Sequence, residues 1–264
     1  MKKMQSALWM ISLLSIHLSA VGQNLSFNQE LFDKFVEMRV GDGKKPVYWY
    51  CYGEVYSYPD GKLLSRMQGI DAATVIRVAK DSVIQLNRKI FLYTDAQTNQ
   101  VLKEYNGQKV SHIEYPYQKI TYVLHGDRLA TYVEQGSGQR ITKMGPGYKT
   151  IARKMGNSYV FTSPVFLDWE TPRGKYEAYE NYDFYYFPKK SKLEHRYQLS
   201  WVRYGDLPSF FGQGKKGIIQ LVCYRLDDFE KIPDPIRSYI RNQATLWLNP
   251  PKDLNEIAML QKGE

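Results

Sequence analysis

Alternation of apolar and polar side chains governs most of this chain, from Pro46 to Leu226. A period of two is typical of strands with one buried face, and short turns rich in Gly, Asp, Asn or Pro separate the runs. The predicted strands are Pro46–Tyr58, Leu63–Val78, Val83–Thr94, Val101–Tyr105, Lys119–Leu124, Leu129–Glu134, Tyr148–Lys154, Ser158–Phe166, Lys175–Phe187, Arg196–Tyr204 and Ile218–Leu226. About a dozen strands with little helix indicate a mainly β fold, either an antiparallel β-barrel (lipocalin-like) or a β-sandwich.

Two short helices are predicted, one near each end of the chain. Ser26 and Gln29 have the spacing of a capping box, and apolar residues follow at helical intervals up to a glycine-rich turn. Pro235–Asn242 resembles a second short helix, after which the Pro250–Pro251 pair is expected to end regular structure.

The clearest turn is Pro59–Gly61, with the sequence Pro-Asp-Gly, between the strands Pro46–Tyr58 and Leu63–Val78. Glycine readily adopts the positive φ that such a tight turn requires. The pattern predicts that these two strands pair as an antiparallel hairpin.

The start of the chain has the composition of a secretory signal peptide. A positively charged beginning precedes an apolar run over residues 7–21, and small residues precede a cleavage point at Gln23. A retained anchor is the alternative, but the run is short and is interrupted by Ser and His. We expect residues 1–22 to be removed and residues 23–264 to form a single β-rich domain. That domain would be exported, periplasmic or extracellular, and without a transmembrane segment.

The charge balance is basic but diffuse. The chain has 36 Lys and Arg against 27 Asp and Glu, and loss of the two lysines near its start would lower the net charge from +9 to +7. The basic residues are scattered, so we expect no nucleic-acid partner, whereas an anionic glycan or lipid headgroup is compatible. The two cysteines are Cys51 and Cys223. Export permits a disulfide between them, and buried free thiols are an equal alternative.

Motifs of the common catalytic and cofactor sites are absent from the sequence. It has no HExxH pair, CxxC pair, GxSxG elbow, Walker loop or dinucleotide-binding fingerprint. His112, His125 and His195 are the histidines beyond residue 22, and none has a second histidine two or four positions away. We therefore expect no cofactor and no metal.

The strand Pro46–Tyr58 carries the most informative pattern for a binding site. Because side chains alternate across a strand, one face is rich in tyrosine and the other, with Trp49 and Val55, is apolar. The tyrosine face consists of Tyr48, Tyr50, Tyr52, Glu54, Tyr56 and Tyr58. Tyrosine rings supply apolar area and their hydroxyls supply donors, which suits sugars and aromatic ligands. A tyrosine face that is packed beneath a loop or exposed to water is an equally weighted alternative.

Two later strands carry further candidate side chains. Trp201 and Arg203 share a strand face, so a ring for stacking lies beside a guanidinium for pairing with an anion. Core packing of Trp201 and a peripheral ion pair of Arg203 form the alternative. In the run Lys175–Phe187, Glu180 shares a face with Tyr182. Carboxylates in this run would suit glycosidase chemistry, although carboxylates that flank a strand are usually solvated.

These patterns predict a binding protein for a small amphipathic or carbohydrate-like ligand. The tyrosine face of Pro46–Tyr58 would line an aromatic cavity, with Trp201 and Arg203 opposite it. Glu54 would be the one charge among the tyrosine hydroxyls, and Arg203 is the candidate to offset it. A glycan-acting hydrolase or lyase that uses Tyr, His and Glu on the same scaffold is the second hypothesis. A structural or adhesion module is the third.

The order of several short motifs resembles an uncharacterised bacterial family. The motifs are Val47–Tyr56 (VYWYCYGEVY), Pro59–Gly61 (PDG), Gly69–Ile70, Tyr93–Asp95 (YTD), Val101–Asn106 (VLKEYN), Tyr182–Phe184 (YDF), Ser200–Arg203 (SWVR), Leu207–Gly214 (LPSFFGQG), Gly217 and Leu248–Pro251 (LNPP). The family is the domain of unknown function number eighteen thirty-eight, and the resemblance covers nearly all of residues 28–251. In that family the segment matching residues 209–213 is richer in Trp and Met. The resemblance implies an exported, mostly β protein and no established activity.

Overall fold

The computed structural model describes residues 23–137, 140–144, 149–171, 174–189 and 192–262, and the predicted signal peptide lies outside them. The strands within those residues are β1 (Gln23–Leu25), β2 (Val47–Ser57), β3 (Leu63–Ala79), β4 (Ser82–Thr94), β5 (Glu104–Tyr105), β6 (Gln108–Lys109), β7 (Ile113–His125), β8 (Arg128–Ser137), β9 (Arg140–Met144), β10 (Ile151–Met155), β11 (Ser158–Thr171), β12 (Gly174–Tyr186), β13 (Tyr197–Asp206) and β14 (Lys216–Leu226). The α-helices are α1 (Gln29–Val40), α2 (Ile236–Gln243) and α3 (Leu254–Lys262), and 3-10 turns cover Ser209–Phe211, Phe229–Lys231 and Thr245–Leu248.

A single 12-stranded sheet contains all of these strands except β5 and β6. Its order is β1-β10-β11-β12-β13-β14-β2-β3-β4-β7-β8-β9, and every neighbouring pair is antiparallel. The sheet curls into a half-barrel with β1 and β9 at its edges. The prediction of a mainly β, antiparallel, barrel-type fold with short helices near both ends is confirmed.

The hairpin predicted at Pro59–Gly61 is confirmed, because β2 and β3 pair antiparallel on either side of this turn. Gly61 has φ of 65°, in the left-handed region that glycine tolerates. Its amide donates to the carbonyl of Ser57 at 3.1 Å. A register shift between Val55 and Tyr56 marks a bulge where the ladder meets the turn. The turn and its register thereby fix the face on which each β2 side chain lies.

Helix α1 lies on the concave face of the half-barrel. Asn28 caps it, because its side-chain oxygen accepts a hydrogen bond from the amide of Leu31 at 2.9 Å. The predicted capping box that starts at Ser26 is therefore wrong, since Asn is at least as good a cap as Ser and lies next to the first helical residue. Phe35 packs edge-on against rings of three strands. These rings are Tyr122, Phe161 and Phe184, at centroid distances of 5.1, 5.5 and 5.9 Å. The helix thus fills part of the curl and joins distant strands.

The chain that follows β14 packs on the convex face of β2, β3 and β4. Its apolar side chains form a second core with the outward side chains of these strands. The members from this segment include Phe229, Ile232, Ile236, Ile240 and Trp247. The indole N–H of Trp247 donates to the carbonyl of Lys89 at 2.8 Å, which ties the segment to β4. The central strands are therefore covered on both faces.

Helix α3 continues regular structure beyond Pro250–Pro251, so the prediction that structure ends there is wrong. Asp253 provides a new helix start, because its Oδ1 accepts a hydrogen bond from the amide of Glu256 at 2.9 Å. Arg88 of β4 forms an ion pair with Glu256. The helix is thereby held against the sheet.

Cys51 of β2 and Cys223 of β14 form a disulfide. The sequence had left open whether these cysteines are bonded or are buried free thiols. The two residues lie directly opposite each other in the register and are 4% and 1% exposed. They are 172 positions apart in the sequence. The bond joins β14 and β2, the two central strands of the 12-stranded sheet.

Candidate functional site

Two tyrosines of the predicted β2 binding face are packed beneath the carboxyl-terminal segment. Tyr48 and Tyr50 are 5% and 6% exposed. The hydroxyl of Tyr48 donates to the carbonyl of Leu248 at 3.1 Å, and that of Tyr50 donates to Oε1 of Gln68 at 3.1 Å. Burial raises the pKa of both tyrosines. For these two residues, the packed alternative is the one that the structure shows.

The rest of that face lies on the outside of the half-barrel. Tyr52 is 47% exposed, and Tyr56 is half-buried. The register places Glu54 between Gln220 of β14 and Arg66 of β3. Glu54 therefore shares its surface with polar neighbours from both adjacent strands.

Trp201 and Arg203 lie on the opposite, concave face of the sheet. Arg203 pairs with Ile219 and Ile219 pairs with Val55, and directly opposite residues share a face. Ile219 and Val55 belong to the concave core, whereas Glu54 points outward. The prediction that Arg203 offsets Glu54 in one cavity is therefore wrong. β13 lies two strands from β2 in the same layer, so the sheet separates the two side chains.

The concave face brings Trp201 and Arg203 together with Glu180 and Tyr182 of β12. The register pairs Glu180 with Arg203 and Tyr182 with Trp201. Oε2 of Glu180 accepts a hydrogen bond from the hydroxyl of Tyr182 at 2.6 Å and from the indole N–H of Trp201 at 3.3 Å. Nε of Arg203 lies 3.7 Å from Oε1 of Glu180. Two patterns that the sequence showed on separate strands thus form one site around Glu180.

Further contacts hold the guanidinium of Arg203 in one orientation. Both of its terminal nitrogens donate to the carbonyl of Asp206 at 3.1 Å. One of them also donates to the hydroxyl of Tyr176, and the guanidinium carbon lies 5.7 Å from the centroid of that ring. Arg203 is therefore a well-anchored counter-charge for Glu180.

A second group of charges lies deeper on the same face. A terminal nitrogen of Arg39 in α1 lies 2.7 Å from Oδ2 of Asp71 in β3. Oδ1 of Asp71 accepts a hydrogen bond from the side-chain amide of Asn87 at 2.6 Å. Burial opposes the charged form of Arg39, but Asp71 and Tyr122 together raise the pKa of the guanidinium. Arg39 therefore keeps its charge inside the half-barrel.

Lys89 of β4 lies between the two groups of charges. Its Nζ is 4.0 Å from Oδ2 of Asp71. Burial lowers the pKa of Lys89, although the negative charges of Asp71 and Glu180 partly counteract burial. Lys89 pairs with Tyr115 of β7 in the register, and burial together with Glu180 raises the pKa of Tyr115.

We refer to these side chains together as the interior cluster. Its members are Arg39, Asp71, Lys89, Tyr115, Tyr176, Glu180, Tyr182, Trp201 and Arg203. Its deep part is closed, because the side chains of Arg39 and Asp71 are 7% and 6% exposed. Its outer part is more accessible, with the side chains of Lys89, Glu180 and Arg203 exposed by 17%, 15% and 11%. Trp201 and Tyr182 are half-buried on the same concave face.

A separate cavity of about 500 Å³ lies between the segment Val101–His112 and helix α2. Lys103, Lys109 and Tyr239 are among its lining residues. His112 also lines it, but its Nδ1 accepts a hydrogen bond from the amide of Tyr93 at 3.2 Å, and burial lowers its pKa. This histidine therefore has a structural partner. The predicted binding residues do not line the cavity.

Comparison with known proteins leaves the family open, since no family model and no curated protein matches this chain. The resemblance of residues 28–251 to the uncharacterised bacterial family stays a prediction from the motifs. In the part of the chain that the structure describes, no helix is both long enough and apolar enough to cross a membrane. Over the same residues, no three His, Cys, Asp or Glu side chains are grouped as metal ligands.

Three charged residues of the interior cluster escaped sequence reasoning: Arg39, Asp71 and Lys89. Asp71 interrupts the apolar run Gly69–Ala73, and Arg39 follows the apolar positions of α1 at helical spacing. Lys89 shares the concave face of β4 with Phe91 and Tyr93 of the core. One signal in the sequence could have identified these residues. Each is a charged residue at a position that the periodicity assigns to the core.

Proposed function

We propose that this protein is an exported binding protein for a small amphipathic or carbohydrate-like ligand, which lies against Trp201 on the concave face. The observation that carries the proposal is the convergence of aromatic rings and a carboxylate on one accessible surface. The ring centroids of Trp201 and Tyr182 are 6.1 Å apart, and both side chains donate to Glu180. Aromatic rings stack on sugar faces and aromatic ligands, and a carboxylate accepts hydrogen bonds from ligand hydroxyls.

Glu180 supplies the fixed acceptor in this proposal. One of its oxygens accepts from Tyr182 and Trp201, and the other lies 3.7 Å from Nε of Arg203. A carboxylate has about four lone-pair sites, so these contacts leave acceptor capacity for a ligand hydroxyl. The protein contacts orient the carboxylate before a ligand binds, which lowers the entropic cost of binding.

Export is the other part of the proposal. The composition of residues 1–22 supports it, because a charged beginning, a short apolar run and small residues precede Gln23. The disulfide between Cys51 and Cys223 also supports it, since such bonds persist in oxidising compartments. Intact-mass analysis of protein from its host should give a chain that begins at or near Gln23, and a mature chain that retains Met1 would contradict this part.

Calorimetric titration with neutral p-nitrophenyl hexosides tests the binding site. The nitrophenyl ring and sugar face can stack on Trp201, and the sugar hydroxyls can donate to Glu180. We expect saturable binding that Trp201→Leu and Glu180→Gln each weaken by at least about tenfold, because the first removes the stacking ring and the second removes the charge and replaces one acceptor oxygen by an amide donor. Glu54 lies on the outer face, so Glu54→Gln is the matched control for Glu180→Gln. Its affinity should equal that of the unmodified protein.

Thermal unfolding of each variant separates lost binding from lost folding. Folded Trp201→Leu and Glu180→Gln variants that bind as tightly as the unmodified protein would contradict the proposed site. No binding of any hexoside, neutral or acidic, by the unmodified protein would contradict the proposed function and would favour a structural or adhesion module.

A glycan-acting hydrolase or lyase is the second candidate, and Lys89 is the observation that favours it. Burial lowers the pKa of this amine, which lies near the carboxylates of Asp71 and Glu180, so an acid–base group is available in the cluster. Burial raises the pKa of Tyr182 and Tyr115, which opposes a tyrosinate base. The same hexosides test this candidate, since cleavage releases coloured p-nitrophenolate. Release that Lys89→Met and Glu180→Gln abolish would establish an enzyme.

A further inference from the structure

We propose that the ligand of the interior cluster bears a carboxylate group and that the ammonium group of Lys89 binds it. This inference rests on the proposed function and specifies the ligand as an acidic glycoside or a similar small amphipathic acid. It follows from the charges, the geometry and the accessibility of the cluster.

The charges of the interior cluster do not balance. Its basic side chains are Arg39, Lys89 and Arg203, and its acidic side chains are Asp71 and Glu180. With all five ionised, the cluster carries a formal charge of +1. An excess charge that is largely removed from water is unfavourable unless a counter-charge is nearby. The carboxylate of a ligand would provide that counter-charge.

The geometry identifies Lys89 as the cation with the weakest counter-charge. Both oxygens of Asp71 are already engaged, one by Arg39 at 2.7 Å and the other by Asn87 at 2.6 Å. Nζ of Lys89 lies 4.0 Å from Asp71, which is longer than a hydrogen bond. An ammonium group has three donors, so in the described part of the chain Lys89 keeps donor capacity for a ligand.

The other two cations are already paired. Arg203 donates to the carbonyl of Asp206 and the hydroxyl of Tyr176, and it faces Glu180 at 3.7 Å. Arg39 lies in the closed part of the cluster, with 7% of its side chain exposed. The side chain of Lys89 is 17% exposed, the largest exposed fraction among the three cations of the cluster.

Glu180 is the negative charge that a ligand carboxylate would meet near Lys89. The guanidinium of Arg203 faces it, and Tyr182 and Trp201 donate to it. Because these contacts offset the charge of Glu180, repulsion of the ligand carboxylate is reduced. Trp201 then binds the aromatic or sugar face of the ligand while Lys89 binds its acid.

Matched pairs of glycosides test the inference. We would titrate p-nitrophenyl β-glucoside against β-glucuronide, and the galactoside against the galacturonide, because the members of each pair differ only in the carboxylate. The unmodified protein should bind each acid about tenfold more tightly than its neutral partner. Lys89→Met should reduce this preference to about twofold or less, whereas Lys89→Arg should retain it. Lys103→Met, in the separate cavity, is the control and should leave the preference unchanged.

Each outcome decides the inference. Equal affinity for acid and neutral sugar overturns it and leaves the proposed function intact, whereas no binding of either overturns both. A preference that persists in folded Lys89→Met, or that disappears in Lys103→Met, also overturns it. If Lys89→Met does not fold, Lys89→Gln provides a second uncharged variant for the same comparison.

Discussion

At the scale of single residues, Asp71 holds the closed part of the interior cluster together. It pairs with Arg39 at 2.7 Å and accepts a hydrogen bond from Asn87 at 2.6 Å. Water has little access to either member of the ion pair. Removal of one charge from such a pair leaves the other without a counter-charge in a medium that solvates it poorly.

We therefore expect Asp71→Asn to lower the free energy of unfolding by about 3–5 kcal/mol. The matched control is Asp33→Asn, because Asp33 pairs with Arg77 at 3.2 Å on the surface, where the two side chains are 51% and 47% exposed. That change should cost at most about 1 kcal/mol, because solvent screens the surface pair. Urea unfolding of both variants measures the difference, and equal losses would contradict the buried position of Asp71.

The two faces of β2 give a second prediction at this scale. Trp49 is 1% exposed, and its indole N–H donates to the carbonyl of Arg39 at 2.9 Å. Trp49→Ala should lower the free energy of unfolding by about 3–5 kcal/mol, because it leaves a cavity in the concave core. Glu54→Gln on the outer face should change it by less than about 0.5 kcal/mol. The opposite order in denaturant unfolding would show that the faces are reversed.

Residue positions within a strand could be predicted from the sequence, but their surroundings could not. Alternation correctly placed Trp49 and Val55 on a packed face and put Trp201 on the face of Arg203. It could not show that Glu180 lies opposite Arg203, because strand register depends on a turn that carries no strong local signal. Nor could it show which segment covers a face, because contacts distant in the sequence decide that.

At the scale of elements, the junction of β14 and β2 connects the two halves of the sheet. Cys51 and Cys223 face each other across this junction and form the disulfide. A cross-link between residues 172 positions apart restricts the unfolded chain strongly. The junction also positions the site, because β13, which carries Trp201 and Arg203, pairs with β14.

The double variant Cys51→Ala/Cys223→Ala should therefore lose about 2–5 kcal/mol of unfolding free energy. Guanidinium unfolding under non-reducing conditions measures this loss. The unmodified protein with reductant should approach the stability of the variant. Two free thiols in the unfolded, non-reduced protein would contradict the disulfide itself.

Some elements were predictable because their signals are local. Pro59–Gly61 predicted the first hairpin, since a Pro-Asp-Gly turn between two alternating runs needs no distant partner. Helix α3 was missed because Pro250–Pro251 is a stop signal, and the cap at Asp253 restarts the helix only three residues after Pro250. The apolar side chains of α2 pack against the convex face of the sheet. The sequence of the helix alone does not indicate which surface covers them.

At the scale of the whole molecule, one curled sheet is covered on both sides. Helix α1 lies in the curl, and the segment after β14 covers the central strands from outside. This arrangement explains why the tyrosine face of β2 became partly core, whereas Trp201 and Glu180 remained accessible inside. The site thus depends on the curl of the sheet, which places β4 and its Lys89 near β12 and β13.

A crystal structure of the protein with p-nitrophenyl β-glucuronide tests this account most directly. We expect the glycoside on the concave face, with a ring against Trp201, a hydroxyl at Glu180 and the carboxylate within hydrogen-bond distance of Nζ of Lys89. A ligand bound instead on the outer surface of β2, at Tyr52 and Glu54, would contradict the account.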